Sequence, residues 1–216
     1  PGGQQERDLA IALLRVPRGQ GKGRDASIIR ALADDLGLGF DPLDCDMAAP
    51  WQGPRPDALH GLAPGAWRSA GDTVERLEAL AVDMIEGKTP PPGGASRAVM
   101  DHAVAYVLPV LRSCGPDEGA GLLTGLSGRF VPPGPSGAPT RGRLDTLPTG
   151  RNFFSVDARA VPTPTAWALG WKSANLLIEK HLQTHGDWPR TMLLTAWGTA
   201  NMRTGGDDIA QALALM

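Results

Sequence analysis

The chain has 216 residues, 42% of them hydrophobic and 20% charged, which is enough to bury a core in one domain or two small ones. Twenty-one basic residues against twenty-three acidic ones leave a formal charge of -2, so the overall balance favours neither nucleic acid nor an anionic membrane surface as a partner. Cys45 and Cys114 form no CxxC pair, no apolar run approaches the length of a membrane helix, and Pro1–Gln5 carries no signal-peptide pattern, so a cytoplasmic protein is expected.

Along residues 1–66, the short apolar run Asp8–Val16 predicts a buried strand, and Ile28, Ile29, Leu32 and Leu36 predict a helix over Ala26–Leu36. Between them, the glycine-rich basic loop Pro17–Arg24 lacks the spacing of a P-loop and also fits a plain flexible connection. Leu38–Ala66 reads as a long irregular connection. Residues 67–128 read as helical. Val74, Leu77, Ala81, Met84 and Ile85 make a stripe that Asp72 and Glu75 would open as a capping box and Gly87 would close. A second stripe joins Met100, Val104, Val107, Leu108 and Leu111, and a third helix is predicted over Pro116–Leu126 with Leu122, Leu123 and Leu126 facing inward.

Residues 129–150 hold many prolines and glycines and no periodicity, which predicts a surface or cleft-lining loop. In 151–216, Thr163 and Pro164 open a helix with Trp167, Trp171, Ala174, Leu177, Ile178 and His181 on one face. Arg190–Trp197 then reads as a buried strand, Gly198–Gly206 as a loop, and Asp207 as the start of a last helix. The expected fold class is therefore α/β, with mainly parallel sheet segments and helical layers. Without an initial Met, and with an apolar pattern stopping in mid-helix at Met216, the chain is expected to be an internal fragment of a larger multidomain subunit.

Two regions carry groups suited to ligands. Arg129, Arg141, Arg143 and Arg151 face the single acid Asp145, a local excess of cations that suits an anionic ligand and equally suits a solvated proline-rich loop. The loop Gly198–Gly206 offers Asn201, Arg203 and Thr204 as hydrogen-bonding groups. Asp207 and Asp208 after it fit either helix capping or a divalent cation. His181 and His185, four apart, fit half a metal site or a packed histidine beside a helix C-terminus.

The stretches Leu147–Thr163 (LPTGRNFFSVDARAVPT) and Trp197–Leu213 (WGTANMRTGGDDIAQAL), preceded by Arg129–Gly142 (RFVPPGPSGAPTRG), resemble signature segments of the cobaltochelatase large subunit and its magnesium-chelatase homologues. The resemblance implies a tetrapyrrole-binding subunit of an ATP-dependent cobaltochelatase, which inserts Co2+ as a substrate into the corrin macrocycle hydrogenobyrinic acid a,c-diamide during aerobic cobalamin synthesis. It implies two AAA+ type partner subunits that use ATP and Mg2+, and no nucleic acid or membrane partner. Metal insertion needs a dehydrated cation, a held macrocycle and a base for the inner-ring protons. The expected roles are Arg141 and Arg151 toward macrocycle carboxylates, Arg203 as a further substrate-binding donor, Asn152 and Asn201 for positioning, and Asp157, Asp207 and Asp208 for cation or proton handling; residues that would hold the metal itself are not assigned. The alternatives are a magnesium-chelatase H subunit acting on protoporphyrin IX, or a scaffold that only docks the ATPase partners.

Overall fold

The computed structural model describes residues 3–15, 27–141, 143–154 and 160–216. These form two compact units, 1–112 and 113–216, each with its own packing.

In the first unit, the described part of the Asp8–Val16 run, Asp8–Arg15, is not a strand. It belongs to helix α1 (Gly3–Arg15), in which Ala10, Leu13 and Leu14 are buried while Leu9 is exposed. The spacing of the buried positions is helical, and a short continuous apolar run does not distinguish a helix from a buried strand. Helix α2 (Ile28–Asp35) is capped by Ser27, whose Oγ accepts from Arg30 N, and it buries Ile28, Ile29 and Leu32. The glycine-rich loop Pro17–Arg24 lies outside the described residues.

Helix α3 (Ala70–Ile85) has its capping box one turn earlier than expected: Ser69 is the cap and Asp72, rather than Glu75, closes the box. Its stripe Val74, Leu77, Ala81 and Met84 is buried as read. Helix α4 (Gly94–His102) and a π turn over Ala103–Val107 turn a different face inward, with Ser96, Val99, Ala103 and Val107 buried and Val104 exposed. The small Ser96 and Ala103 fit that face, and apolar content alone does not report them.

The start of α4 is tied to α2 by Asp35. Its carboxylate accepts Ala95 N at 3.0 Å, Ser96 N at 2.7 Å and Ser96 Oγ at 2.5 Å. Burial opposes its ionisation, but the hydrogen bonds from Ser96 and Ala95 outweigh burial and hold the carboxyl below the usual carboxylate range. A lowered folded-state pKa stabilises the fold above the unfolded value, and that contribution disappears as pH falls through the folded one. Asp35→Asn should therefore lower the urea midpoint at pH 7, with the difference from wild type shrinking as pH is taken down through the acid range.

Helix α5 (Leu108–Leu126) runs through Pro116 rather than starting there, and Leu122, Leu123 and Leu126 are exposed rather than inward. The second unit then folds around close backbone approaches. Strand β1 (Pro133–Pro135) pairs in parallel with β2 (Asn152–Phe154), register Gly134 to Phe153, and this pair is the one sheet among the described residues. The described residues are thus mostly helical, and beyond this one short parallel pair the expected mainly parallel sheet is not observed among them.

Helix α6 (Pro164–His185) is capped by Thr163, which accepts from Ala166 N, and it packs on α8 (Asp207–Leu215). The face it buries is Ala166, Gly170 and Ala174, while the expected stripe leaves Trp167, Trp171 and Leu177 exposed. A Cβ on Gly170 would stand 2.5 Å from that of Ala210, so small residues set the distance between these helices. Arg190–Trp197 forms no strand pairing among the described residues, and Gly198–Thr204 is a helix, α7, rather than a loop. Its seven residues include Asn201 and Thr204, whose side chains bond back to Trp197 O and Ala200 O, a local closure that residue type alone does not announce.

Candidate functional site

The loop carrying Arg151 is built from its own polar groups. Arg143 grips Asp145 in a two-pronged pair, with both N–H to O distances 2.9 Å, which raises the arginine's pKa and cancels one charge of the arginine-rich loop. Thr146 donates both its N–H and its hydroxyl to Arg143 O, closing a tight turn over Leu144–Thr146 that buries Leu144 and Leu147. Arg151 donates from Nε to Pro148 O at 3.1 Å and from Nη2 to Asp145 O at 3.2 Å. Its guanidinium lies across Gly134, where a Cβ would come within 2.7 Å of Nε. Arg151 therefore holds its own loop in shape, in addition to any ligand it meets.

Glycines seat this loop on α5. Gly121 presents bare backbone to the Gly150 carbonyl, and Gly150, at φ +85°, lies against the backbone of Asp117 and Glu118. Thr149 Oγ1 reaches Cys114 O at 3.5 Å. Beside the contact opens a groove of about 640 Å³. Leu122, Leu126 and Phe130 give it an apolar wall, and Arg129, Arg151, Asn152 and one acid, Glu118, stand along it. Leu122, Leu126 and Phe130 are 64%, 77% and 79% exposed, an unusual outlay of large apolar surface on one concave face.

The second motif forms a helix–turn–helix. Asn201, 5% exposed, donates from Nδ2 to Trp197 O at 2.9 Å and to Asp208 Oδ2 at 3.1 Å, so it joins α7 to the first turn of α8. Asp207 is not the cap of α8. Gly206 occupies that position at φ +100°, and the Thr204 hydroxyl accepts from both Gly206 N and Asp207 N. Arg203 is exposed, and its carbonyl accepts from Ala138 N at 3.3 Å. Gly205 O accepts from Thr163 N at 2.9 Å, so the ends of both motifs and the segment before them meet in one unit.

Of the residues expected to act, the structure brings Arg151 and Asn152 together in the groove, and Asn201 and Asp208 together in the turn. No hydrogen bond links these two pairs among the described residues, and Asn201 and Asp208 do not line the groove beside α5. Arg141 ends a turn over Pro139–Arg141, and Asp157 lies outside the described residues. His181 and His185 have ring centroids 4.5 Å apart with their planes tilted by 41°, and no group of three or more His, Cys, Asp or Glu able to hold a metal occurs among the described residues. The residues missed by sequence reasoning are Leu122, Leu126 and Phe130. The available signal was a helix with Gly121 and Gly125 four apart, a bare strip suited to a docked loop with its leucines left beside it.

Comparison with known proteins decides the family. The model of the CobN/Magnesium Chelatase family matches residues 1–216. The chain belongs to this family. It is 60% identical to the aerobic cobaltochelatase subunit CobN of Pseudomonas aeruginosa and 55% identical to that of a Sinorhizobium species, in each case over all of the chain and 18% of the relative. The magnesium-chelatase H subunit of Rhodobacter capsulatus is 44% identical over 46% of the chain and 8% of that relative. The solved catalytic subunit of cobaltochelatase from Mycobacterium tuberculosis superimposes with a TM-score of 0.68 at 35% identity, covering 99% of the chain and 17% of that structure. The chain thus spans under a fifth of the length of these relatives. No described helix is long and apolar enough to cross a membrane.

Proposed function

We propose that the chain is part of the macrocycle-binding subunit of an ATP-dependent cobaltochelatase, and that the groove between α5 and the Arg129–Asn152 loop holds one edge of the corrin. The observation that carries this reading is the composition of the groove: an apolar wall of Leu122, Leu126 and Phe130 beside Arg129, Arg151 and Asn152. A corrin is a flat apolar ring edged with carboxylates and amides, so it needs an apolar face to leave water and cations or amides to meet its rim. Arg129 suits a peripheral carboxylate, Asn152 a peripheral amide, and Arg151 lines the groove while positioning the loop.

In this reading Co2+ is a substrate, the reaction is insertion into hydrogenobyrinic acid a,c-diamide, and two AAA+ type partner subunits in the cytoplasm use ATP and Mg2+. The Asn201–Asp208 pair supplies a carboxylate held at a helix start, which suits handling of a cation or of the inner-ring protons, and Asp207 and Asp157 are the further candidates. The cobalt reading is favoured over magnesium because the matches that span the whole chain are named cobaltochelatase subunits, whereas the magnesium-chelatase match spans less than half.

Equilibrium binding to the full-length protein tests the substrate. Hydrogenobyrinic acid a,c-diamide should bind at least about tenfold more tightly than protoporphyrin IX, a difference of about 1.4 kcal/mol. A preference for the porphyrin would transfer the reading to a magnesium-chelatase H subunit, and binding of neither would leave the scaffold reading.

A further inference from the structure

Thr191–Trp197 (TMLLTAW) contains no helix, turn or bend, and the backbone N–H and C=O groups of Thr191–Thr195 have no hydrogen-bond partner among the described residues. Burial alternates with a period of two over Thr191–Thr195, and Ala196 and Trp197 are both exposed. Met192 and Leu194 are half-buried and line a cavity of about 520 Å³ with Ile178, Trp188, Ala212 and Leu215, whereas Thr191, Leu193 and Thr195 are exposed, Leu193 to 98%. That alternation is the signature of a strand with one face packed. Its edges are long, apolar and free of the Lys, Pro or bulge that proteins place on edges meant to remain open.

A second observation lies on the helix that precedes this segment. Of the 22 residues of α6, only Ala166, Gly170 and Ala174 are buried, while Trp167, Trp171, Leu176 and Leu177 are exposed. These large side chains share the helix surface with Lys172, Glu179 and Lys180, yet together they leave more apolar area uncovered than a solvated helix face carries. Unlike the groove beside α5, the face around Leu193 has unsatisfied backbone rather than a cationic and amide rim, so it calls for a strand and not for a carboxylated ring.

We infer that Thr191–Trp197 is one strand of a sheet completed by an extended, apolar-alternating segment of the same longer polypeptide, outside these 216 residues. That segment hydrogen-bonds to the open edge and helps to cover Leu193. The relatives, of which this chain spans 18%, have ample length to supply it. The inference does not depend on where the macrocycle binds.

Hydrogen exchange on the full-length protein and on the 216-residue chain tests it. The amides of Met192–Thr195 should exchange at least about 100-fold more slowly in the full-length protein, as expected for ladder hydrogen bonds. Leu193→Lys should lower the thermal midpoint of the full-length protein and leave that of the short chain unchanged. Rapid exchange of these amides in the full-length protein, together with a neutral Leu193→Lys, would overturn the inference. So would concentration-dependent protection in the short chain accompanied by dimers on sedimentation, since the strand would then pair with a second copy. If the short chain does not fold, the two full-length measurements decide.

Discussion

Alanine at Gly150 should lower the unfolding free energy of the chain by about 3 kcal/mol and lift the Leu147–Asn152 loop off α5, the sum of a left-handed conformation imposed on a residue with a side chain and an overpacked contact. Gly150 sits at φ +85°, and a Cβ there would lie inside van der Waals contact with the Asp117 carbonyl and 2.6 Å from Glu118 N. These are backbone atoms of a helix, which cannot swing aside as a side chain would. Gly121→Ala attacks the same contact from the other side, against the Gly150 carbonyl. Gly119 on the same helix has open space around it, so Gly119→Ala should instead be neutral or stabilising by up to about 1 kcal/mol. Urea unfolding of the three variants checks this, and equal behaviour of Gly119→Ala and Gly150→Ala would contradict the docking geometry.

The second large effect concerns the groove. Phe130 is 79% exposed, so Phe130→Ala should leave the urea midpoint within error of wild type. If the corrin covers the ring, however, its removal should weaken binding about 10- to 100-fold, the equivalent of burying one large apolar side chain. Arg129→Ala should weaken binding by about tenfold or more and reduce the salt dependence of the affinity, since an arginine–carboxylate hydrogen bond is charge-assisted and screened by salt. Arg151→Ala is a less clean probe, because it also removes the donors to Pro148 O and Asp145 O and so loosens the loop. Titration of full-length variants with the corrin, followed by its absorbance, separates these cases: loss of affinity in Phe130→Ala without loss of stability belongs to ligand contact alone.

How much of this was legible in the sequence differs from element to element. The α3 stripe was readable because Val74, Leu77, Ala81 and Met84 repeat over a full helix, and the Thr163–Pro164 start of α6 because cap and first-turn preferences are local. The failures arise where burial is set by something other than apolarity. On α6 the buried face is Ala166, Gly170 and Ala174, chosen by the close approach of α8, and the large apolar residues are left outside. The Asp8–Val16 run was too short for its period to separate strand from helix. Arg190–Trp197 has the composition of a buried strand without a pairing partner among the described residues.

The candidate site was partly legible for related reasons. The arginine excess around residue 141 pointed to the loop that borders the candidate groove, but not to the pairing of Arg143 with Asp145 or to the structural duty of Arg151. Asp207 was expected to cap α8, yet Gly206 and the Thr204 hydroxyl do so, because two consecutive left-handed glycines turn the chain one residue earlier. Asn201 was read as a ligand-positioning group; its Nδ2 is committed to Trp197 O and Asp208 Oδ2, which the residue type alone did not announce, while its Oδ1 is buried without a hydrogen-bond partner among the described residues.

The most direct test of the central claim is hydrogen exchange of the full-length protein with and without hydrogenobyrinic acid a,c-diamide. The groove reading predicts that the corrin slows exchange at Gly125–Val131 and Gly150–Asn152, while Asp72–Met84 in the first unit is unchanged. Tight corrin binding with no change at Gly125–Val131 and Gly150–Asn152 would contradict it.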